Sequence, residues 1–244
     1  MEPLWHLFFI IKVSALFFST DNLQNIYAVT TDYKVVKYDS SGQPLHTYTN
    51  KSLGQPTSLD VSNPMKLLLY YKDFSTIIWL DNTLSEIAET QLAPIGIIQS
   101  PVVCLSQDGN FWVYDEADQR LKKINSQLEV IYEGPNVQAI SNRTIEPFLM
   151  VEENQQLFVS DSSQGVFVFD EYGNFKSKIP TKGITNFQVE NNQLLYKRNN
   201  LANIYQLKTM EEHSIKLPDT AIQVQIESHR IFLLQKEQIA VYPY

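Results

Sequence analysis

The chain has 244 residues, 19 basic and 27 acidic side chains, a net charge of −8 and 43% apolar residues. That length can bury a sizeable core, and the acidic balance sets aside nucleic acid and anionic membrane surfaces as main partners, because both need a basic footprint. The single cysteine, Cys104, leaves no intramolecular disulfide and no cysteine-rich metal site; among Val102, Val103 and Leu105 it reads as a small buried hydrophobe.

The first segment, "MEPLWHLFFIIKVSALFFST", has the apolar look of an export signal. Glu2 makes its start acidic, His6 and Lys12 interrupt the apolar run, and no Ala-x-Ala pattern follows. The uninterrupted stretch Leu7–Ile11 is too short to span a bilayer. A β-strand is the preferred reading, and a transmembrane anchor is not.

A hairpin pattern then recurs six times. It runs "NIYAVTTDYKVVKYDSSG" from Asn25, "KLLLYYKDFSTIIWLDN" from Lys66, "NFWVYDEADQRLKKINS" from Asn110, "QLFVSDSSQGVFVFDEYG" from Gln156, "QLLYKRNNLANIYQLKT" from Gln193 and "RIFLLQKEQIAVYPY" from Arg230. The apolar residue closing the second strand is Tyr38, Leu80, Ile124, Phe169, Leu207 or Tyr242, a repeat of about 40 residues. Each hairpin follows a turn cluster such as Ser62-Asn63-Pro64 or Asn191-Asn192, residues that tolerate left-handed backbone or fix φ. Another strand precedes each cluster ("ALFFS", "TSLDV", "PVVCLS", "PFLMV", "TNFQV", "AIQVQI"), and a fourth follows in five units ("LHTYT", "EIAETQL", "EVIYEG", "FKSKI", "EHSIKL").

Six four-stranded units predict an all-β, six-bladed β-propeller occupying residues 1–244 as a single domain, because stacked blades bury faces that one blade leaves open. A pair of β-sandwiches is the competing architecture, and no Gly-His…Trp-Asp signature is present. The sixth unit ends after its third strand. "LWHLFFIIKV" is therefore expected to supply the missing outer strand and close the ring, removing two open edges.

In this frame the tip Lys72-Asp73-Phe74-Ser75-Thr76 joins the second and third strands of blade two. Its counterparts in other blades are mainly polar. Tyr71, Lys72, Asp73, Phe74 and Ser75 are assigned as a partner-binding tip, with Phe74 as the apolar anchor and Tyr71 bracing the strand beneath it; the competing reading folds Phe74 back against the blade and leaves Lys72 and Asp73 merely solvated. The long crossing Glu133–Pro147 is either a partner-binding loop or a plain connection.

Catalytic signals are weak. The inner-strand acids Asp60, Glu152 and Glu190 read as solvated rim residues that no blade repeats in register. His6, His46, His213 and His229 have no ligand spacing. Eight glycines and no G-x-S-x-G argue against phosphate cradles and nucleophile elbows. Asp161–Gly165 reads as a turn rather than a calcium loop. No catalytic, cofactor-binding or metal residue is assigned, and no cofactor is expected.

"FFSTDNLQNIYAV", "TSLDVSNPMKLLLYYKDFSTIIWLDNTLSEI" and "VFVFDEYGNF" resemble a family of small secreted β-propellers from Bacteroidota, similar to the periplasmic plug subunit of the type 9 secretion translocon. The resemblance covers nearly the whole chain from about Phe17 and is sharpest over Asn63–Asn82; Met1–Leu16 departs from the family's clean export signal. It implies a periplasmic, non-catalytic module, monomeric within a hetero-complex, whose partner is an outer-membrane translocon protein, with no direct membrane insertion. The alternatives are a metal-dependent, lactonase-like hydrolytic propeller and a soluble ligand-binding propeller.

Overall fold

Short β-branched and aromatic strands, each with one face apolar towards each neighbour, must stack face to face. The computed structural model, which describes residues 5–244, shows how they do so. Six four-stranded antiparallel sheets form a ring, a β-propeller. Blade one comprises Ala15–Thr20, Ile26–Thr30, Lys34–Tyr38 and Pro44–Thr49, and blade two Ser58–Asp60, Leu67–Tyr71, Thr76–Leu80 and Glu86–Gln91. Blade three follows with Val103–Leu105, Phe111–Asp115, Arg120–Ile124 and Val130–Glu133, and blade four with Pro147–Glu153, Gln156–Asp161, Gly165–Asp170 and Phe175–Ile179. Blade five is Phe187–Glu190, Gln193–Arg198, Leu201–Gln206 and Glu212–Lys216. Blade six takes Gln223–Glu227, Arg230–Leu234 and Gln238–Pro243 from the C-terminus.

The fourth strand of blade six is Phe9–Lys12, paired antiparallel to Gln238–Val241 with Ile11 opposite Ile239. The expected closure is therefore observed; Leu4, where the expected strand began, lies outside the described residues. Two further backbone bonds extend the pairing, Phe8 N–H to Val241 C=O at 2.8 Å and Val13 N–H to Glu237 C=O at 3.1 Å. Ile11 is buried with Phe18, Phe232, Ile239 and Val241, in a cluster that spans blades six and one.

In all six blades the second strand forms the first arm of the hairpin read from the sequence. One register differs. Tyr205, not Leu207, stands opposite Leu194 and closes the second hairpin strand of blade five. The cause is a turn motif. In blades one to four the next residue is Asp39, Asp81, Asn125 or Asp170, whose side chain accepts N–H bonds from the residues two and four positions on. These are Asx turns, in which a short side chain imitates a backbone acceptor. Gln206 occupies that place in blade five, and the turn to Glu211 is one residue longer.

Antiparallel alternation sends the turns to two rims. The upper rim carries the crossings between blades and the turns joining second to third strands. The lower rim carries the other two sets of turns.

Candidate functional site

The upper-rim tip of blade two is a single 3₁₀ turn, Lys72–Phe74, stopped by Ser75 in the left-handed region at φ 45°. That reversal directs the serine inward. Ser75 Oγ donates to the Ile98 carbonyl at 2.8 Å, and the Ser75 carbonyl accepts from Leu92 N–H at 3.0 Å. Lys72 N–H donates to Thr57 Oγ1 at 3.0 Å, and the Tyr70 hydroxyl donates to the Ser100 carbonyl at 2.6 Å. The tip is thus fastened to the crossings on both sides of its blade.

Phe74 stays 54% exposed, and Ile98, on the crossing that Ser75 grips, is 66% exposed. Lys72 and Asp73 are also exposed. Tyr71 and Ser75 are not: Tyr71 is fully buried in the core shared with blade one, and Ser75 is buried beneath the tip. Strand alternation sends Tyr71 into the blade interface, and the left-handed turn sends Ser75 down. Of the five residues assigned from sequence, three face solvent and two position them. Burial pushes the Tyr71 phenol up to about 12. Tyr33, Phe148 and Ile222 are further exposed apolar side chains on this rim. The long crossing holds a short helix, Val137–Ser141, whose Asn136 cap accepts Ala139 N–H at 3.0 Å and whose Val137 is buried.

The inner-strand acids have a different role from the solvated one expected. Asp60 accepts Leu105 N–H of blade three at 2.8 Å, and burial raises its carboxyl above the usual range. Glu152 accepts Gln107 N–H at 3.1 Å and Trp112 Nε1–H at 2.5 Å, both from blade three. Amides do the same elsewhere. Gln188 exchanges two bonds with the Ile226 backbone, 2.8 and 2.9 Å, and Gln223 exchanges two with Phe18, 2.8 and 3.0 Å. Ser19 donates to the Leu59 carbonyl at 2.9 Å. These side chains tie neighbouring inner strands together, because radial stacking leaves no backbone ladder between blades.

Glu190 does have register mates, contrary to the sequence reading. The inner strand's pairing with the second strand ends on Glu153, Glu190 and Glu227 in blades four, five and six, and Asp21 directly follows that pairing in blade one, one residue beyond the partner of Ile26 as the three glutamates are beyond the partners of Leu157, Leu194 and Ile231. Each stands at the start of a two-residue lower-rim turn or, for Asp21, at the head of its turn, where the repeat is masked by different neighbours. Burial raises the carboxyls of Glu153, Glu190 and Glu227, and repulsion from Glu227 and Glu153 adds to that at Glu190. Among the described residues, no three His, Cys, Asp or Glu side chains converge as a metal cluster. Asp161 accepts N–H bonds from Ser163, Gln164 and Glu146, at 2.7, 2.9 and 2.8 Å, so the serine-rich loop is a turn organised by its carboxylate.

No protein-family model and no curated protein matches the chain. Solved structures do. A streptogramin B lyase aligns over 100% of this chain and 89% of its own, with a TM-score of 0.66 and 13% identity. The Cps50 (Swd1) propeller domain of Myceliophteria thermophila aligns over 98% and 99%, with a TM-score of 0.66 and 13% identity. BBS1N, solved in complex with ARL6DN, aligns over 100% and 97%, with a TM-score of 0.62 and 12% identity. At such identities the likeness is one of fold: the chain is a β-propeller.

Proposed function

We propose that this propeller is a non-catalytic interaction module that docks a protein partner on its upper rim. The observation that carries the reading is the Phe74–Ile98 pair. Two large apolar side chains stand in solvent on backbone that is fastened at both flanks, so their presentation costs little ordering on binding. The resemblance of Asn63–Asn82 to the plug-type family supplies the partner: an outer-membrane translocon protein of type 9 secretion, covered from its periplasmic side. BBS1N, crystallised with another protein, exemplifies a propeller of this fold in a protein complex. The inner-strand carboxylates of Asp60 and Glu152, which a hydrolytic propeller could direct at a metal, are engaged in holding blades together.

The test pairs binding with stability. Phe74→Ala removes an anchor of the kind that contributes about 2 kcal/mol or more at an interface centre, whereas Lys72→Ala removes a rim charge that contributes little. Translocon capture should fall about thirtyfold for Phe74→Ala, with an unchanged melting temperature. Unchanged capture by a stably folded Phe74→Ala variant removes this tip from the interface.

A further inference from the structure

Five of the six blades fill one register position with a side chain suited to the interior. Three residues beyond the one that stands opposite the closing apolar residue (Tyr38, Leu80, Ile124, Phe169 or Tyr242) stand Val29, Tyr70, Tyr114, Ser160 and Leu234, each fully buried. This position faces the following blade. Tyr70, for example, packs in the core shared by blades two and three. Blade five has Lys197 there, paired across its hairpin with Ala202. Leu195, two residues earlier on the same face, is buried against Val224, Ile231 and Leu233 of blade six.

The lysine leaves the seam between blades five and six unfilled at its upper end. A cleft of about 350 Å³ opens there, lined by Lys197 and Arg198, by the polar side chains of Thr185, Asn186 and Asn199, and by Ile222 at its lip. No acidic side chain lines it. Arg198 is held in place by Glu212, 3.1 Å from its guanidinium, and lies over the Tyr196 ring. Lys197 has no carboxylate within 4.0 Å among the described residues. A partly buried cation without a counter-ion, facing three neutral hydrogen-bonding side chains, in a chain of net charge −8, is a local reversal of the molecule's field.

We propose that this cleft is an anion-binding site for the carboxylate or phosphate group of a small polar ligand, with Lys197 as its principal cation. An ammonium supplies three charge-assisted donors, the amides and Thr185 hydroxyl supply neutral ones, and the volume lies at the small end of ligand pockets. The site is independent of the Phe74 tip, which belongs to blade two. It stands or falls separately from the docking reading.

The test uses the whole chain and two probes, inorganic phosphate and succinate, titrated at constant ionic strength against sodium chloride while backbone amide shifts are followed. At least one probe should give saturable shifts confined to residues 183–186, 197–199 and 222–224, and the tighter of the two identifies the anion class. Lys197→Leu, which copies Leu234 of blade six, should weaken binding about tenfold or more while melting at or above the parent temperature. Lys197→Gln gives the same loss with the cleft kept polar, so a folding defect in the leucine variant cannot hide the answer. The proposal is overturned if neither probe exceeds the chloride control, or if folded Lys197→Gln binds as the parent does.

Discussion

Ring closure by the N-terminal strand makes a prediction that alternation sharpens. Ile10 and Ile11 are adjacent and chemically identical, but Ile11 is 4% exposed and Ile10 is 37% exposed. Ile11→Ala removes a buried side chain from the cluster with Phe18, Phe232, Ile239 and Val241. Substitutions of this kind cost about 2–5 kcal/mol, and a site on an outer strand, where neighbours can settle inward, belongs near the lower end, about 2–3 kcal/mol. For a chain of this size that corresponds to a fall in melting temperature of about 4–12 °C. Ile10→Ala should stay within about 0.5 kcal/mol of the parent, as surface substitutions do. The assay is urea unfolding followed by tryptophan fluorescence, with equal m-values establishing that the midpoints report stability. Equal, small effects of the two substitutions would refute docking of Phe9–Lys12 in the last blade.

Two further predictions address positions with other physics. At Gly165, φ is +113° and an added Cβ would lie 2.1 Å from the Ile179 carbonyl oxygen, so Gly165→Ala should cost about 3–5 kcal/mol in urea unfolding, whereas Gly109→Ala, at φ +88° with open space, should cost only about 1–2 kcal/mol. At Glu227, burial and then Asp21 raise the carboxyl against the Ser228 hydrogen bond, so this group favours the fold most below its unfolded pKa of about 4.3 and loses that contribution as pH rises through the raised folded value. Glu227→Gln should therefore stabilise the protein at pH 7, with the gain fading below about pH 4; a gain that grows on acidification would contradict the assignment. Asp108 runs the opposite way. Burial works against its ionisation, but hydrogen bonds from Lys123, Ser106 and Asn110 outweigh this and hold it at about 2, so its contribution is present at neutral pH and lost on strong acidification.

The blades were legible because period-two apolar patterning and turn residues recur together, and because a missing fourth strand at one end called for a spare strand at the other. The slip at Leu207 shows where that reading lost its marker: blade five has Gln206 where four blades place an Asp or Asn turn head. The inner acids were misread because a carboxylate beside a channel looks the same in sequence whether it meets water or the N–H of the next blade. Only the ring brings Asp60 to Leu105, 45 residues away. The tip was half legible. Its place on the upper rim followed from strand order, but strand order left Phe74 free to stand out or to fold back, and Ser75's inward turn depends on a left-handed backbone that Ser does not advertise. Lys197 read as part of a polar tip, because only the structure carries the second strand of blade five on to Arg198 and so sets a lysine where the other blades place a buried neutral side chain.

The central claim is that the upper rim, and not the lower, meets the partner. A photo-crosslinking side chain placed at Phe74 or Ile98 on the upper rim, and at Leu23 or Met65 on the lower, tests it in the native envelope; all four positions are exposed. The account predicts crosslinks from Phe74 and Ile98 to an integral outer-membrane protein of the translocon and none from Leu23 or Met65. Crosslinks to that protein from the lower-rim positions alone would contradict it.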